Sequence, residues 1–141
     1  MVTKIFADSD VIIDFLTDRH PYSEEASKLI QLNHIKKIQL YISSLSVSNI
    51  YNVTRKSLGH KKSIGVIALL IETIEIIGTN KQGILHALDS GFSDFEDGIQ
   101  HATALSVEGI EAIVTRNVKD YKKSKIAVIT PSDFVKTIDI N

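Results

Sequence analysis

Two periodicities divide this chain. Short runs rich in Ile and Val stand where buried strands would, and longer stretches repeat apolar positions at the spacing of an amphipathic helix. Val2 to Ala7 reads as a strand. Val11 to Leu16 reads as a helix stopped by the turn-forming Asp18-Arg19-His20-Pro21. Ser23 is placed to cap a second helix, with Ala26, Leu29, Ile30 and Asn33 at helical spacing. Ile38 to Ser43 predicts another strand, and Leu45 to Leu58 a helix with Gly59 as its C-cap. Lys61 to Leu70 continues as helix, and Glu72 to Ile77 turns to strand by its β-branched content. A short helix over Lys81 to Leu88 stops near Gly91, and a longer one covers Asp94 to Val107. Glu111 to Thr115 and Ile126 to Ile129 are strands, and Pro131 to Val135 starts a last helical turn.

Strands that alternate with helices pair in parallel through right-handed crossovers. The expected class is α/β, a central parallel sheet flanked by helices on both faces. Residues 1–141 form one domain in this reading, with no linker or repeat. Such sheets bind ligands beyond the carboxyl ends of their strands, so chemistry is sought just after each strand.

Acids stand at those places. Asp8 follows the first strand directly, with Asp10 and Asp14 behind it. Either Asp8 or Asp10 would cap the first helix, and capping is the reading taken for Asp10. Asp94-Phe95-Glu96-Asp97 opens the long late helix. Ser93 and Glu96 have the form of a capping box, yet three acids in four residues exceed what capping needs. The run Thr115 to Tyr121, with Asp120 in it, follows the fourth strand. Clustered carboxylates repel one another unless a cation neutralises them. Mg²⁺ or Mn²⁺ suits such oxygen donors and activates water toward a phosphodiester.

Composition narrows the rest. The 141 residues carry a formal net charge of −1 and no cysteine. That excludes disulfides, thiolate zinc sites and cysteine nucleophiles, and it leaves nucleic-acid binding to local patches. No signal peptide is legible in Met1 to Ala7, and the most apolar stretch, Ile64 to Ile77, is broken by Glu72 and Glu75. The expectation is a cytoplasmic protein with no membrane span.

The ordered set of segments resembles one family. Phe6-Ala7-Asp8-Ser9-Asp10-Val11-Ile12-Ile13-Asp14 is similar to the opening motif of PIN domains, the nucleases of VapC-type toxins. Phe95 to Ala104 resembles their late helix with its metal-binding acid. Ile113 to Tyr121 and Ala127 to Phe134 resemble the strands and turns that follow. The resemblance covers essentially the whole chain. It implies a metal-dependent ribonuclease acting on single-stranded RNA, a toxin held by a cognate antitoxin, and a homodimer. Residue by residue, Asp8 and Asp97 match the family's principal acids, Asp94 an accessory acid, and Asp120 an acid of variable use. Asn49 stands where the family's second acid is usually Glu, and Asn117 where many members have Asp. An amide offers oxygen without charge, so Asp94 and Asp120 are the residues placed to compensate.

Two basic groups frame RNA contacts: Arg55, Lys56, His60, Lys61 and Lys62 around Gly59, and Arg116, Lys119, Lys122, Lys123 and Lys125 after the fourth strand. Arg116, Lys119, Lys122 and Lys123 adjoin the expected metal site. Tyr51 and Tyr121 are candidates to stack on bases. His101 is read as a partly buried, hydrogen-bonding residue. The stripe Ile64, Ile67, Ala68 and Ile71 is read as core, with a dimer or antitoxin groove as the alternative. Two other functions compete: a PIN-fold module that binds RNA or protein without cutting, and a phosphatase of the haloacid-dehalogenase type, which Asp8-Ser9-Asp10 also resembles. The second lacks a late Gly-Asp pair.

Overall fold

Successive strand residues face opposite sides of a sheet, so the first strand serves two cores. Ile5 and Ala7 point into the larger core with Leu40, Ile42, Ala112 and Val114. Phe6 points the other way, to Ile113, Ala104 and Tyr121. A computed structural model describes residues 2–139. Strands β1 (Thr3–Ala7), β2 (Ile38–Ser43), β3 (Glu75–Ile77), β4 (Ile110–Val114) and β5 (Ala127–Ile129) form one parallel sheet in the order β3-β2-β1-β4-β5. Helices α1 (Ser9–Leu16), α2 (Tyr22–His34), α3 (Ser44–Leu58), α4 (His60–Leu70), α5 (Lys81–Leu88), α6 (Phe95–Leu105) and α7 (Pro131–Asp139) flank it. A 3₁₀ turn, Val118–Tyr121, bridges β4 and β5. This is the expected α/β architecture.

The larger core gathers Val11 and Ile12 of α1, Ala26, Leu29 and Leu32 of α2, and Ile50 of α3. Gly59 joins α3 to α4 at φ +81°, a backbone that glycine adopts without strain.

Several local expectations give way to tertiary structure. Glu72 and Thr73 are not strand, because their N–H groups bond back to Leu69 and Leu70 and prolong the end of α4 as a turn. Ser23 does not cap α2. The helix begins at Tyr22 after Pro21, and Ser23 is buried, its N–H on the Arg19 carbonyl at 2.7 Å. The cap of α6 is Asp94, one residue later than the Ser93 box, with Oδ1 accepting from Asp97 N–H at 3.0 Å. In α4 the inward register is Ser63, Ile67 and Leu70. Ile64 and Ile71 are therefore exposed, at 49% and 48%, as is Leu69 at 67%. The core reading of that stripe holds only for Ile67.

Asn33 ties α2 to the sheet. Its Oδ1 accepts from Leu40 N–H at 2.8 Å and its Nδ2 donates to the Thr73 carbonyl at 3.2 Å, in a buried setting. Replacing it by Leu strands the Leu40 N–H, while the Thr73 carbonyl keeps Gln39 Nε2 at 3.1 Å, and the expected loss of stability is about 1–3 kcal/mol. Urea unfolding of Asn33→Leu against wild type measures it. A loss under about 0.5 kcal/mol, the size of an ordinary surface change, would mean the Leu40 N–H finds another partner.

Candidate functional site

β1 is joined to β2 on one side and to β4 on the other, so the crevice between β1 and β4 is the switch point of the sheet. Ala7 registers with Val114, which sets Asp8 beside Thr115. Three consecutive residues after β4 then grip the segment after β1. Thr115 Oγ1 donates to Asp8 Oδ2 at 2.9 Å. Arg116 backbone N–H and Asn117 Nδ2 both donate to Asp10 Oδ2, at 3.2 and 3.1 Å. The Arg116 guanidinium donates from Nε and Nη2 to Asp14 at 2.6 and 3.2 Å and lies 4.1 Å from the centre of the Tyr22 ring. Asp14 is only 1% exposed, so this pairing keeps a buried carboxylate satisfied.

A second set of bonds places α6 and α3. Asp97 lies in the first turn of α6, and Gln100 three residues on shares its face. Gln100 Nε2 donates to Ser46 Oγ at 2.9 Å, and Ser46 Oγ bonds Ser9 Oγ at 2.8 Å. Three elements that carry candidate residues, α1, α3 and α6, thus meet at one serine hydroxyl. Asn49 is half-buried on α3, one turn beyond Ser46.

The acids feel one another. Burial pushes the Asp97 carboxyl up to about 7, helped by the charges of Asp94, Asp8, Asp120 and Glu96. Asp10 also rises to about 7, through burial and then Asp8, with Arg116 pulling against both. Burial raises Asp8 too, opposed by its bonds from Thr115 and Ser9 and reinforced by Asp120. Tyr121 is 1% exposed, and its buried hydroxyl faces Asp8 without the geometry of a full hydrogen bond. Burial raises the phenol's pKa first, and the nearby carboxylates raise it further.

Of the expected site residues, Asp8, Asp97 and Asp120 come within electrostatic reach of one another. Asp94 is adjacent, with one oxygen committed to the α6 cap. Asn117 enters as a donor to Asp10. Lys119, Lys122 and Lys123 are exposed around the 3₁₀ turn. Arg116 is not a free cation, since Asp14 and Tyr22 hold it. Two further readings are corrected. Asp8, not Asp10, caps α1, its Oδ1 accepting from Ser9 N–H at 2.8 Å. Tyr121 cannot stack on a base, because its ring is buried between Phe92 and the sheet. Tyr51 gives its hydroxyl to a bond with His60 Nδ1 at 2.8 Å. His101 is buried and accepts from Lys125 N–H at 3.1 Å, in keeping with a hydrogen-bonding role. The structure also brings to this edge Asp10, read from the sequence as a cap, Asp14, given no role there, and Gln100, not singled out at all. Gln100 had a signal: an uncharged polar residue three positions after Asp97, on the same face of the helix.

Among the described residues, no three acidic or histidine side chains already converge as ligands of a metal ion. The donor chemistry nevertheless fits Mg²⁺ or Mn²⁺. It is all oxygen, its carboxyls compete for protons near pH 7, and Asp10 Oδ1 is buried without a partner.

No curated protein matches this sequence. Solved structures share its fold. VapBC-1 from nontypeable Haemophilus influenzae is 21% identical, with 92% of this chain and 99% of that chain covered at a TM-score of 0.69. A toxin–antitoxin complex from Klebsiella pneumoniae is 24% identical, covering 90% and 97% at 0.65. VapC20 of Mycobacterium tuberculosis, described as a sarcin–ricin-loop-cleaving toxin, is 15% identical, covering 77% and 86% at 0.61. Residues 4–119 match the sequence model of the PIN domain, and this chain belongs to the PIN-domain family.

Proposed function

We propose that this chain is a metal-dependent endoribonuclease of single-stranded RNA, the toxin of a toxin–antitoxin pair. The observation that carries the reading is the cluster of Asp8, Asp10, Asp97 and Asp120 at the switch point of the sheet, where burial, and then the charge of neighbouring acids including Asp8, pushes Asp10 and Asp97 each up to about 7. Proteins of the same fold are described as a loop-cleaving toxin and as toxin–antitoxin complexes, which agrees with it.

Mg²⁺ or Mn²⁺ held by Asp8 and Asp97, with Asp120, Asp94, Asn49 and Asn117 at hand, would supply an acidified water and neutralise charge on the phosphate. The chain's own residues do the positioning. Thr115 and Ser9 N–H fix both oxygens of Asp8. Arg116 and Asn117 anchor Asp10 through one oxygen and leave the other unpartnered. Lys119, Lys122 and Lys123 supply positive charge to the RNA backbone beside the acids. The exposed Ile64, Leu69 and Ile71 of α4 suit an antitoxin segment or a second copy of the chain, and a groove of ≈ 780 Å³ runs beside them between α2 and α4. A second reading, a PIN-fold module that binds RNA or protein without cutting, draws on Asn49 and Asn117, which bring no charge to the cluster.

Single-stranded RNA incubated with Mn²⁺ or Mg²⁺ separates the two. Wild type is expected to cut, EDTA to stop it, and Asp8→Asn to lose about a hundredfold or more in rate. Equal inertness of both proteins across metals and substrates would favour the binding module.

The raised carboxyls also give a stability signature. An unfolded Asp releases its proton near 3.8, whereas folded Asp97 holds its proton to about 7. Between these values the folded state binds more protons, so Asp97 lowers metal-free stability as pH rises, up to a plateau above 7. His101, held neutral down to about 4 by burial, by His86 and by Lys125, acts in the opposite sense between about 4 and its ordinary 6.5, inside the same window. The comparison with Asp97→Asn isolates the carboxyl. The variant is expected to gain on wild type in urea unfolding as pH climbs from 5 to 7, by an amount that then stays constant. A difference independent of pH would place the Asp97 proton in solvent-like surroundings.

A further inference from the structure

One turn along α6 from Asp97, a second cavity opens. It has a volume of ≈ 760 Å³, within the range of about 300–1,000 Å³ usual for small-molecule sites. Phe92, His86 and His101 form its aromatic wall. The His101 ring lies 5.0 Å from Phe92 at 32° and 6.3 Å from His86. Lys123 and Lys125 stand at its edge, and Gln82 and Asp89 add an amide and a carboxylate.

His101 fixes the chemistry of that wall. Its Nε2 accepts from Lys125 N–H, so the proton of the neutral ring sits on Nδ1. That donor is buried and has no acceptor in the structure. His101 therefore backs the wall from behind, while the exposed His86, the half-buried Phe92 and the two exposed ammonium groups form the surface a ligand meets, which suits a nucleotide with its π-face and phosphate. Asp89 opposes a bare anion and offers an acceptor to base N–H groups, which favours a nucleotide over free phosphate. Position agrees. Four residues of helix separate His101 from Asp97, a rise of about 6 Å, and Phe92 meets Tyr121 edge-on where its hydroxyl faces Asp8. A strand lying across the acids reaches the cavity with a neighbouring nucleotide.

We propose that the cavity between α5, α6 and the segment before β5 is a nucleotide subsite for single-stranded RNA, walled by Phe92, His86 and His101 and charged by Lys123 and Lys125. Its role in cleavage rests on the ribonuclease reading, but its binding does not.

The test titrates the four nucleoside 5′-monophosphates and inorganic phosphate into the full chain without metal, while the ring signals of His86 and His101 are followed by NMR. At least one nucleotide is expected to shift both signals and to saturate at a concentration well below that of phosphate. The double variant Lys123→Ala/Lys125→Ala, both exposed, is expected to bind about tenfold more weakly through lost phosphate contacts. Phe92→Leu tests the wall in the same way, and the lysine pair covers the case in which that variant fails to fold. Unmoved or unsaturated histidine signals would overturn the proposal. So would equal saturation by phosphate and nucleotides, or unchanged binding by the lysine variant. The two readings fail separately. Nucleotide binding without any RNA cleavage sinks the ribonuclease and keeps the subsite. Cleavage whose KM ignores the lysine variant, with no nucleotide bound, does the reverse.

Discussion

Everything at the functional edge depends on the grip of one short loop on one helix start. Thr115, Arg116 and Asn117 hold Asp8, Asp10 and Asp14, and residues more than a hundred positions apart thereby share one set of hydrogen bonds. The carboxylates are crowded enough to raise one another's affinity for protons, and this loop supplies the donors that make the crowding tolerable. Arg116 is central because it acts twice, through its backbone on Asp10 and through its guanidinium on Asp14. The same loop that organises the acids therefore spends its strongest cation on them.

The sheet makes that grip available. Parallel pairing of β1 with β4 brings two strand ends level, and the switch point leaves the space above them open for a ligand. Ser46, bonded to Ser9 and to Gln100, then brings α3 and α6 to the same place. A PIN-domain site is in this sense a property of strand register before it is a property of individual side chains.

The architecture was legible in the chain because alternating strand and helix periods leave few topologies once crossovers are right-handed. Asp8 and Asp97 were legible for a related reason, each being an acid just beyond an apolar run or at the head of a long helix. What stayed hidden depended on distant partners or on shifts of one residue. Asp10 looked like a cap because Asp8 and Asp10 are equivalent candidates locally, and the start of α1 at Ser9 decides between them. Arg116 looked like a free RNA contact because its partner Asp14 lies in another element. Tyr121 looked exposed because nothing in a polar loop announces that a 3₁₀ turn will fold its ring under Phe92. The apolar side chains of α4 suggested core, yet the helix turns Ser63 and Leu70 inward and leaves Ile64 outside.

The central place of β1 bears on the order in which the molecule comes together. Its neighbour β2 is complete by residue 43, whereas β4 is made only after residue 109. During synthesis β1 can pair along one edge and bury Ile5 and Ala7, while its other edge waits for Ile110 to Val114. Until that strand arrives, Asp8 lacks Thr115 and Asp10 lacks Arg116. Non-local pairing of this kind is slow relative to local contacts. A nascent chain thus carries its acids unassembled until β4 is made, and the edge that carries the candidate site takes form only then.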